Sequence, residues 1–254
     1  ASNDGNLRLS NRFIFHVALP FVVTKAMKET IVRGRNCILR FLYVGMLKPI
    51  LFQRDPEMVH ESFLRFGRLL GSNPITRLIT RGLFMYHHPM LEQTILGIRF
   101  PNPIGLAAGF DKNAQLTDIM PCIGFGFMEL GSITGEPCMG NPKPRLWRLP
   151  KSKALVVYYG LKNEGCERIA QRLQGKRFSI PVGISVAKTN VPETNVLEKG
   201  IADYTKAYTV FKDVGDYTVL NISCPNACGD EPLGSSRWLK ALLKSVCAIP
   251  SEKP

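Results

Sequence analysis

The sequence predicts an α/β fold, with a partial (half) βα-barrel of about four βα units behind an N-terminal helical cap. From Asn102 onward, short apolar runs alternate with helical stretches, a pattern typical of parallel buried strands joined by helices. Small and polar residues follow four of these runs, and in βα-barrels the chemistry lies at the carboxyl ends of the strands. A doubly wound sheet has the same alternation and stays open as an alternative.

Positive charge is concentrated at the start of the chain. The 254 residues carry a net charge of +13, with a pI near 9.6. Residues 1–54 contain nine Lys and Arg residues against two acidic ones, Asp4 and Glu29. This basic, apolar-rich leader predicts contact with an anionic membrane surface or an acidic partner protein, with a solvated basic face as the alternative. No recognised nucleic-acid motif is present, so no nucleic-acid partner is expected.

The leader holds two apolar stretches, Phe13–Val23 and Cys37–Phe52. Pro20 interrupts the first, and Arg40 and Lys48 interrupt the second, so neither reaches the roughly 18 apolar residues of a membrane-spanning helix. They predict interfacial helices or helices packed on a partner. The seven cysteines are odd in number and irregularly spaced, which indicates reduced thiols and not a disulfide framework.

Two helices and a hairpin arm are predicted next. Asp55-Pro56-Glu57 is typical of a helix start, with Asp at the N-cap, Pro at the first helical position and Glu in the first turn. Apolar residues then recur at helical spacing until Gly71, where this helix is predicted to end. A second short helix is predicted over Ile75–Leu83, and a short strand or hairpin arm over Thr94–Phe100.

Four βα units follow. The predicted strands are Pro103–Ala107, Gly126–Leu130, Pro181–Val186 and Tyr217–Ile222. The predicted helices are Leu116–Ile123, Gly165–Leu173, Ile201–Val214 and Ser236–Cys247. Leu146–Leu149 is predicted to be a small excursion outside this alternation.

Each predicted strand is followed by residues suited to a ligand site. These are Ala107–Lys112, Gly131–Ser132, Lys188, and Asn221–Asn226. Small residues allow a ligand to approach the backbone closely, and the polar residues supply hydrogen bonds. Any one of these loops alone is explained by turn formation, but four in succession on one face predict a binding site.

These loops carry a family resemblance. Residues 102–112 and 124–134 resemble the two flavin-contacting loops of the dihydroorotate dehydrogenases. Residues 140–150 resemble the stretch that follows these loops, and residues 221–226 resemble the loop that carries the catalytic base. Residues 51–57, with His60 and Glu61, resemble the helical cap of the membrane-associated class 2 enzymes, in which the cap forms the quinone tunnel. The resemblance runs from about Leu47 to about Leu243.

The resemblance implies an activity in pyrimidine biosynthesis. In this family a base takes a proton from C5 of dihydroorotate while hydride passes from C6 to N5 of FMN, and in the membrane class ubiquinone reoxidises the flavin. The matching positions assign Cys224 as the base and Lys112, Asn221 and Asn226 as substrate-binding residues. They assign FMN contacts to Ala107, Ala108, Gly109, Lys112, Ser132 and Lys188.

The sequence departs from the family at four positions, one of them the base position and the other three at further expected contacts with substrate or flavin. Cys224 stands where the membrane class has Ser, but class 1 enzymes use Cys there, and a thiolate can act as a base. Val157 and Ser185 stand where the family has Asn, and Leu161 where it has Phe. Each hydrogen bond lost at a buried polar partner would cost about 1–3 kcal/mol, which predicts weakened substrate and flavin binding.

The length adds a further departure, because a βα-barrel needs eight strands and about 250 residues of its own. The expected domains are a leader (1–46), a helical cap (47–93) and a partial barrel (94–254). The loops after strands seven and eight, which hold the FMN phosphate in this family, would be missing, and the open strand edges would need cover.

The favoured hypothesis is therefore a non-catalytic accessory or scaffold subunit of a mitochondrial inner-membrane complex of the respiratory-chain type. It would hold no cofactor, contact lipid or the membrane surface, and have its open barrel edges covered by other subunits. Ubiquinone would bind only if the cap tunnel were retained. The alternative is an active, FMN-dependent dihydroorotate dehydrogenase (quinone) seen as a split or truncated chain. A quinone- or lipid-binding module that uses only the cap is the third hypothesis.

Overall fold

The computed structural model describes residues 27, 29–227, 235–251 and 253. The chain forms two compact units, Ala1–Asp55 and Pro56–Pro254. The apolar stretch Phe13–Val23 and Cys228 lie outside the described residues. The six cysteines that are described all carry free thiols.

The described part of the first unit is helical. Helix α1 covers residues 29–41, a π-helical segment covers Leu42–Leu47, and α2 covers Lys48–Phe52. Many of its large apolar side chains are exposed, among them Phe41 at 70%. Within the described residues, no helix combines the length and the apolar character needed to cross a bilayer.

The second unit begins with two helices and a hairpin. Helix α3 (Pro56–Ser72) starts at the predicted proline, and α4 (Pro74–Phe84) is capped by Asn73, whose side chain accepts a hydrogen bond from the Ile75 amide at 2.8 Å. Strands β1 (Gln93–Ile95) and β2 (Ile98–Phe100) then pair antiparallel, which confirms the predicted hairpin arm.

A four-stranded parallel sheet forms the centre of the second unit. Its strands are β3 (Gly105–Leu106), β4 (Phe127–Ile133), β7 (Val182–Val186) and β8 (Tyr217–Leu220), in the order β3-β4-β7-β8. This order follows the chain without the reversal that defines a doubly wound sheet, as in a βα-barrel. All four predicted strands are confirmed, with bounds that differ by at most three residues.

An antiparallel hairpin lies outside the sheet, where the sequence predicted an excursion. Strand β5 (Leu146–Leu149) pairs with β6 (Ala154–Val157), in a register that places Leu146 opposite Val157. The strand β6 was not predicted. Its burial pattern is exposed throughout, so it has no alternation of buried and exposed residues by which to recognise it.

Helices connect and flank the parallel strands. They are α5 (Met120–Ile123), α6 (Cys166–Leu173), α7 (Leu197–Phe211) and α8 (Ser236–Cys247). The helix predicted over Leu116–Ile123 is wrong in its first half, because the Asp111 carboxylate accepts hydrogen bonds from the amides of Gln115 and Leu116 and forms a loop there. Helix α8 has the predicted bounds.

The hydrophobic core lies between the sheet and these helices. Strands β4 and β7 contribute fully buried Met128, Leu130 and Ile184, and α7 contributes Tyr204 and Phe211. Strand β7 is buried at all five positions, so its sequence lacks the alternation of apolar and polar residues that a half-exposed strand shows. The core fixes the carboxyl ends of the strands, where the predicted site residues lie.

Candidate active site

The loops after β3 and β4 are joined to each other at the carboxyl edge of the sheet. The Gly109 amide donates to the Gly131 carbonyl at 2.7 Å, and the Gly131 amide donates to the Asp111 carbonyl at 3.1 Å. Gly109 has a φ of +103°, and a Cβ added there would meet no described atom within 4 Å. The predicted residues Ala107 and Gly109 are exposed beside this open space, and Ala108 is half-buried.

A network of three polar side chains connects β4, β7 and the end of β8. The hydroxyls of Ser132 and Ser185 are 2.8 Å apart, and Asn221 Nδ2 donates to Ser132 Oγ at 2.7 Å. Both serines are buried. The Tyr204 hydroxyl donates to the Asn221 carbonyl at 2.6 Å and so fixes its backbone. The predicted flavin residue Ser132 and the predicted substrate residue Asn221 are therefore in direct contact.

Ser185, where the family resemblance leads us to expect Asn, completes this network. Its side chain is 2% exposed, and it contacts Ser132 directly. The Ser132 hydroxyl therefore has two partners inside the protein, and a weaker contact with flavin at position 185 stays a prediction.

Lys112 lies at the wall of a cavity of about 570 Å³. Its ammonium donates to the Gly109 carbonyl at 2.5 Å and lies 4.2 Å from the ring centroid of Tyr159. Burial, followed by the nearby positive charge of Lys162, lowers the pKa of Lys112 to about 8. The neighbouring His60, Tyr159 and Lys162 also line the cavity.

Asp111, beside Lys112, has a structural role. It is fully buried, and its carboxylate accepts from the backbone amides of Gln115 and Leu116 at 2.9 and 2.7 Å. Burial raises the pKa of this carboxyl, and these backbone hydrogen bonds act in the opposite direction. Asp111 thus holds the loop that carries Lys112.

Three asparagines connect the loop after β8 to the hairpin. Asn226 Nδ2 donates to the Val157 carbonyl at 3.0 Å, and Asn141 Nδ2 donates to the Asn226 carbonyl at 2.9 Å. Asn190 Nδ2 in turn donates to Asn141 Oδ1 at 3.0 Å. The predicted substrate residue Asn226 is therefore held by the backbone of Val157, whose own side chain is 47% exposed.

Cys224 lies on the same loop and is half-buried. The Ser223 amide donates to Asn221 Oδ1 at 3.2 Å, which shapes the chain between Asn221 and the thiol. Lys188 is buried after β7, and its ammonium donates to Asn195 Oδ1 at 2.8 Å. Contact between Lys188 and a flavin remains a prediction.

Leu161 follows the hairpin with a φ of +60°, in the left-handed region that is unfavourable for branched side chains. It packs against the hydrophobic core, and its carbonyl accepts from Asn163 Nδ2 at 2.8 Å. The apolar side chain is therefore used in packing at a position where the family resemblance leads us to expect Phe.

A buried ion cluster beside the site was not predicted. Glu57 accepts two hydrogen bonds from Arg145, at 2.7 and 3.0 Å, and one from Lys162 at 3.2 Å. Arg145, followed by Lys162, holds the pKa of Glu57 at about 2, although burial opposes this shift. Lys162 also bonds Glu61 at 2.8 Å. Glu57 was interpreted as a first-turn residue only, since no local pattern connects positions so far apart in the chain.

The residues at this edge fit the ring end of an FMN molecule. Gly109 leaves space for close approach, and Ser132, Asn221 and Lys112 supply hydroxyl, amide and ammonium groups for a polar heterocycle. In barrels a ligand phosphate is often held by the loops after the seventh and eighth strands of the barrel, whereas the sheet described here holds four parallel strands. The residues described at this edge therefore fit the isoalloxazine ring.

Comparisons with known proteins agree with this geometry. The family model for dihydroorotate dehydrogenase matches residues 90–254. A dihydroorotate dehydrogenase (quinone) from Synechococcus sp. (strain JA-3-3Ab) is 38% identical over 211 residues, which are 81% of this chain and 55% of that protein. One from Sulfurovum sp. (strain NBC37-1) is 39% identical over 216 residues, 84% of this chain and 60% of that protein.

Solved structures show the same partial coverage. The ligand-free DHODH from Eimeria tenella matches with a TM-score of 0.62 and 29% identity, over 76% of this chain and 52% of that one. The complex of that organism's DHODH with ferulenol matches with a TM-score of 0.60 over 76% of this chain and 50% of that one. The chain thus spans about half the length of the relatives it matches, and over that half it belongs to the dihydroorotate dehydrogenase family.

Proposed function

We propose that the chain supplies the flavin- and substrate-facing half of a quinone-dependent dihydroorotate dehydrogenase. The observation that carries this proposal is the buried network of Ser132, Ser185 and Asn221, at the same sheet edge as Lys112. Buried polar groups lower stability unless they are hydrogen-bonded, and apolar residues of similar volume would pack there at less cost. A polar, internally satisfied edge supports ligand binding more than a purely structural role.

Each residue of the site would have a separate role in this reaction. Cys224, as a thiolate, would take the proton from the substrate carbon, while Asn221 and Asn226 on the same loop would bind the polar groups of dihydroorotate. Lys112 would hold a negative charge on the substrate or on the flavin edge. FMN would supply the hydride acceptor, and the protein would supply its binding and orientation. Dihydroorotate oxidation of this kind would serve pyrimidine biosynthesis.

The second candidate is the non-catalytic accessory subunit of a mitochondrial inner-membrane complex. Val157 and Leu161 favour it, because neither side chain can make the hydrogen bond or the aromatic contact of the family residue. The exposed apolar side chains of α1 and α2 would then contact lipid or other subunits. Such subunits would also cover the outer edges of β3 and β8, each of which pairs with one strand among the described residues.

One experiment separates the two candidates. The native protein, purified in its own assembly, is examined for a flavin absorption spectrum, and dihydroorotate is then added without oxygen. Enzyme function predicts flavin that bleaches on addition and is restored by a ubiquinone analogue. Cys224→Ala should keep the flavin and lose the bleaching, whereas Cys224→Ser, which carries the base of the membrane class, should keep some of it. Absence of flavin, or bleaching that persists in Cys224→Ala, would overturn the proposal.

A further inference from the structure

The ammonium of Lys112 is held between two groups. The Gly109 carbonyl accepts one of its hydrogen bonds at 2.5 Å, and the ring centroid of Tyr159 lies 4.2 Å from Nζ. Tyr159 is 9% exposed, so the contact is shielded from water on the ring side. A cation over a shielded aromatic face is stabilised by the negative face of the ring quadrupole.

The Tyr159 ring also contacts two further side chains. The Arg145 guanidinium carbon lies 5.3 Å from the ring centroid, and the bidentate bond with Glu57 fixes that guanidinium. The His60 ring makes an edge contact with Tyr159 at 6.3 Å between centroids. The ring therefore sits among anchored neighbours and can impose a position on Lys112.

We propose that Tyr159 is a positioning residue, whose ring face holds Lys112 as a cation at the wall of the cavity, ready for an anionic group of the ligand. The identity of that ligand rests on the function proposed above. The contact between Tyr159 and Lys112 is independent of that function, because both residues belong to this protein. Neither sequence pattern nor family resemblance assigned a role to Tyr159.

The surroundings of Lys112 otherwise work against its positive charge. Burial, Lys162 and Arg145 lower its pKa, whereas Glu57 and Asp111 raise it. His60 faces the same space, and burial, followed by the positive charge of Lys112, lowers the pKa of His60. In this setting the ring face is a source of cation stabilisation that a change of side chain can remove without altering any formal charge.

The test replaces Tyr159 with Phe and with phenylalanines of increasing fluorination, which keep the ring shape while removing its negative face. The rate at which cyanate modifies Lys112 is followed by peptide mass spectrometry across a pH series, and its midpoint reports the protonation of the amine. We expect Tyr159→Phe to keep the wild-type midpoint. The fully fluorinated ring should lower it by about one pH unit, a tenfold rise in neutral amine below the midpoint.

Tyr158 offers a matched control, because it is the adjacent tyrosine and is 46% exposed. The same substitutions at Tyr158 should leave the midpoint of Lys112 unchanged. A midpoint that stays constant, or rises, across the Tyr159 series would overturn the proposal. This readout needs neither flavin nor turnover, so it can fail while the proposed function stands, and it can succeed if that function is wrong.

A second readout applies to the flavin-loaded enzyme. If Lys112 binds an anionic group of dihydroorotate, the fluorinated series should raise KM several-fold with a smaller effect on kcat. Tyr159→Phe should rescue KM to the wild-type value, which a merely structural role for the ring hydroxyl would not do. If the labelling midpoint of Lys112 falls across the fluorinated Tyr159 variants while their KM stays equal, the link between this contact and substrate binding would be overturned.

Discussion

Glu57 and Arg145 form a buried bidentate ion pair, with Arg145 Nη2 and Nε donating to the two carboxylate oxygens at 2.7 and 3.0 Å. Their side chains are 5% and 4% exposed. The pair joins the first turn of α3 to the segment just before the hairpin strand β5, so it connects the helical part of the second unit to the β5–β6 hairpin, and the Arg145 guanidinium also lies against the Tyr159 ring. It is therefore a link between the cap-like helices and the candidate site.

Glu57→Gln should destabilise the second unit. The variant leaves the Arg145 guanidinium buried without its counter-ion, and breaking a buried pair in this way costs about 3–5 kcal/mol. Urea unfolding of the purified protein would measure the loss. Glu61→Gln is the control, because its bond to the partly exposed Lys162 lies nearer the surface and should contribute less than about 1 kcal/mol. Equal losses in the two variants would contradict this interpretation of the cluster.

The same pair predicts a dependence of stability on acid. The pKa of Glu57 is about 2 in the folded protein against an ordinary value of 4.5, so the group is depressed by folding. Its contribution is fully present above pH 4.5 and is lost as the pH falls toward 2. The difference in unfolding free energy between wild type and Glu57→Gln should therefore shrink between pH 5 and pH 2 in a series of urea titrations. A constant difference would count against the ion pair as its cause.

Ser132→Ala and Ser185→Ala should have unequal effects. Loss of the Ser132 hydroxyl leaves Asn221 Nδ2 without its acceptor and should cost about 1–3 kcal/mol, whereas loss of Ser185 leaves that bond intact and should cost about 1 kcal/mol. The double variant should be less destabilised than the sum of the two, since both remove the same bond between the serines. Chemical unfolding of the wild type, the two single variants and the double variant gives the coupling free energy between the two serines. Strictly additive losses of stability would contradict a shared bond.

Two glycines should respond to alanine in opposite directions. A Cβ on Gly183 would lie 2.4 Å from the Tyr217 ring, between two paired strands, so Gly183→Ala should cost about 1–3 kcal/mol through overpacking. Gly82 lies in the exposed part of α4 with no described atom within 4 Å of an added Cβ, so Gly82→Ala should stabilise by up to about 1 kcal/mol. Thermal unfolding compares them, and a fall in Tm for Gly82→Ala would contradict the second expectation.

Much of the fold followed from local patterns. The apolar runs that became β4 and β7 are buried on both faces, and Ser235 caps α8 at the predicted start. The helix expected from Leu116 failed because the nearby side chain of Asp111 competes for the amides of Gln115 and Leu116. Hydrogen bonds between a loop side chain and the backbone override helix periodicity, and a sequence pattern does not show them.

Some residues of the candidate site were likewise predictable from local sequence motifs, and others were not. Ser132, Lys112 and Asn221 were found because the residues around them form compact motifs after strands. The roles of Glu57, Arg145 and Tyr159 depend on contacts between distant segments, and so does the bond between Ser185 and Ser132. Contacts of this kind arise from tertiary packing, for which a single sequence carries no local signal.

The two serine hydroxyls allow a change that moves no heavy atom. Either oxygen can donate across the 2.8 Å between Ser132 and Ser185, while Asn221 donates to Ser132 in both cases. Rotation of the two hydroxyl protons therefore exchanges which serine offers its remaining proton to a neighbour and which one offers only a lone pair. A heterocycle whose rim gains and loses hydrogen during turnover would find a matching partner in both of its states, at the same place and without rearrangement of the sheet.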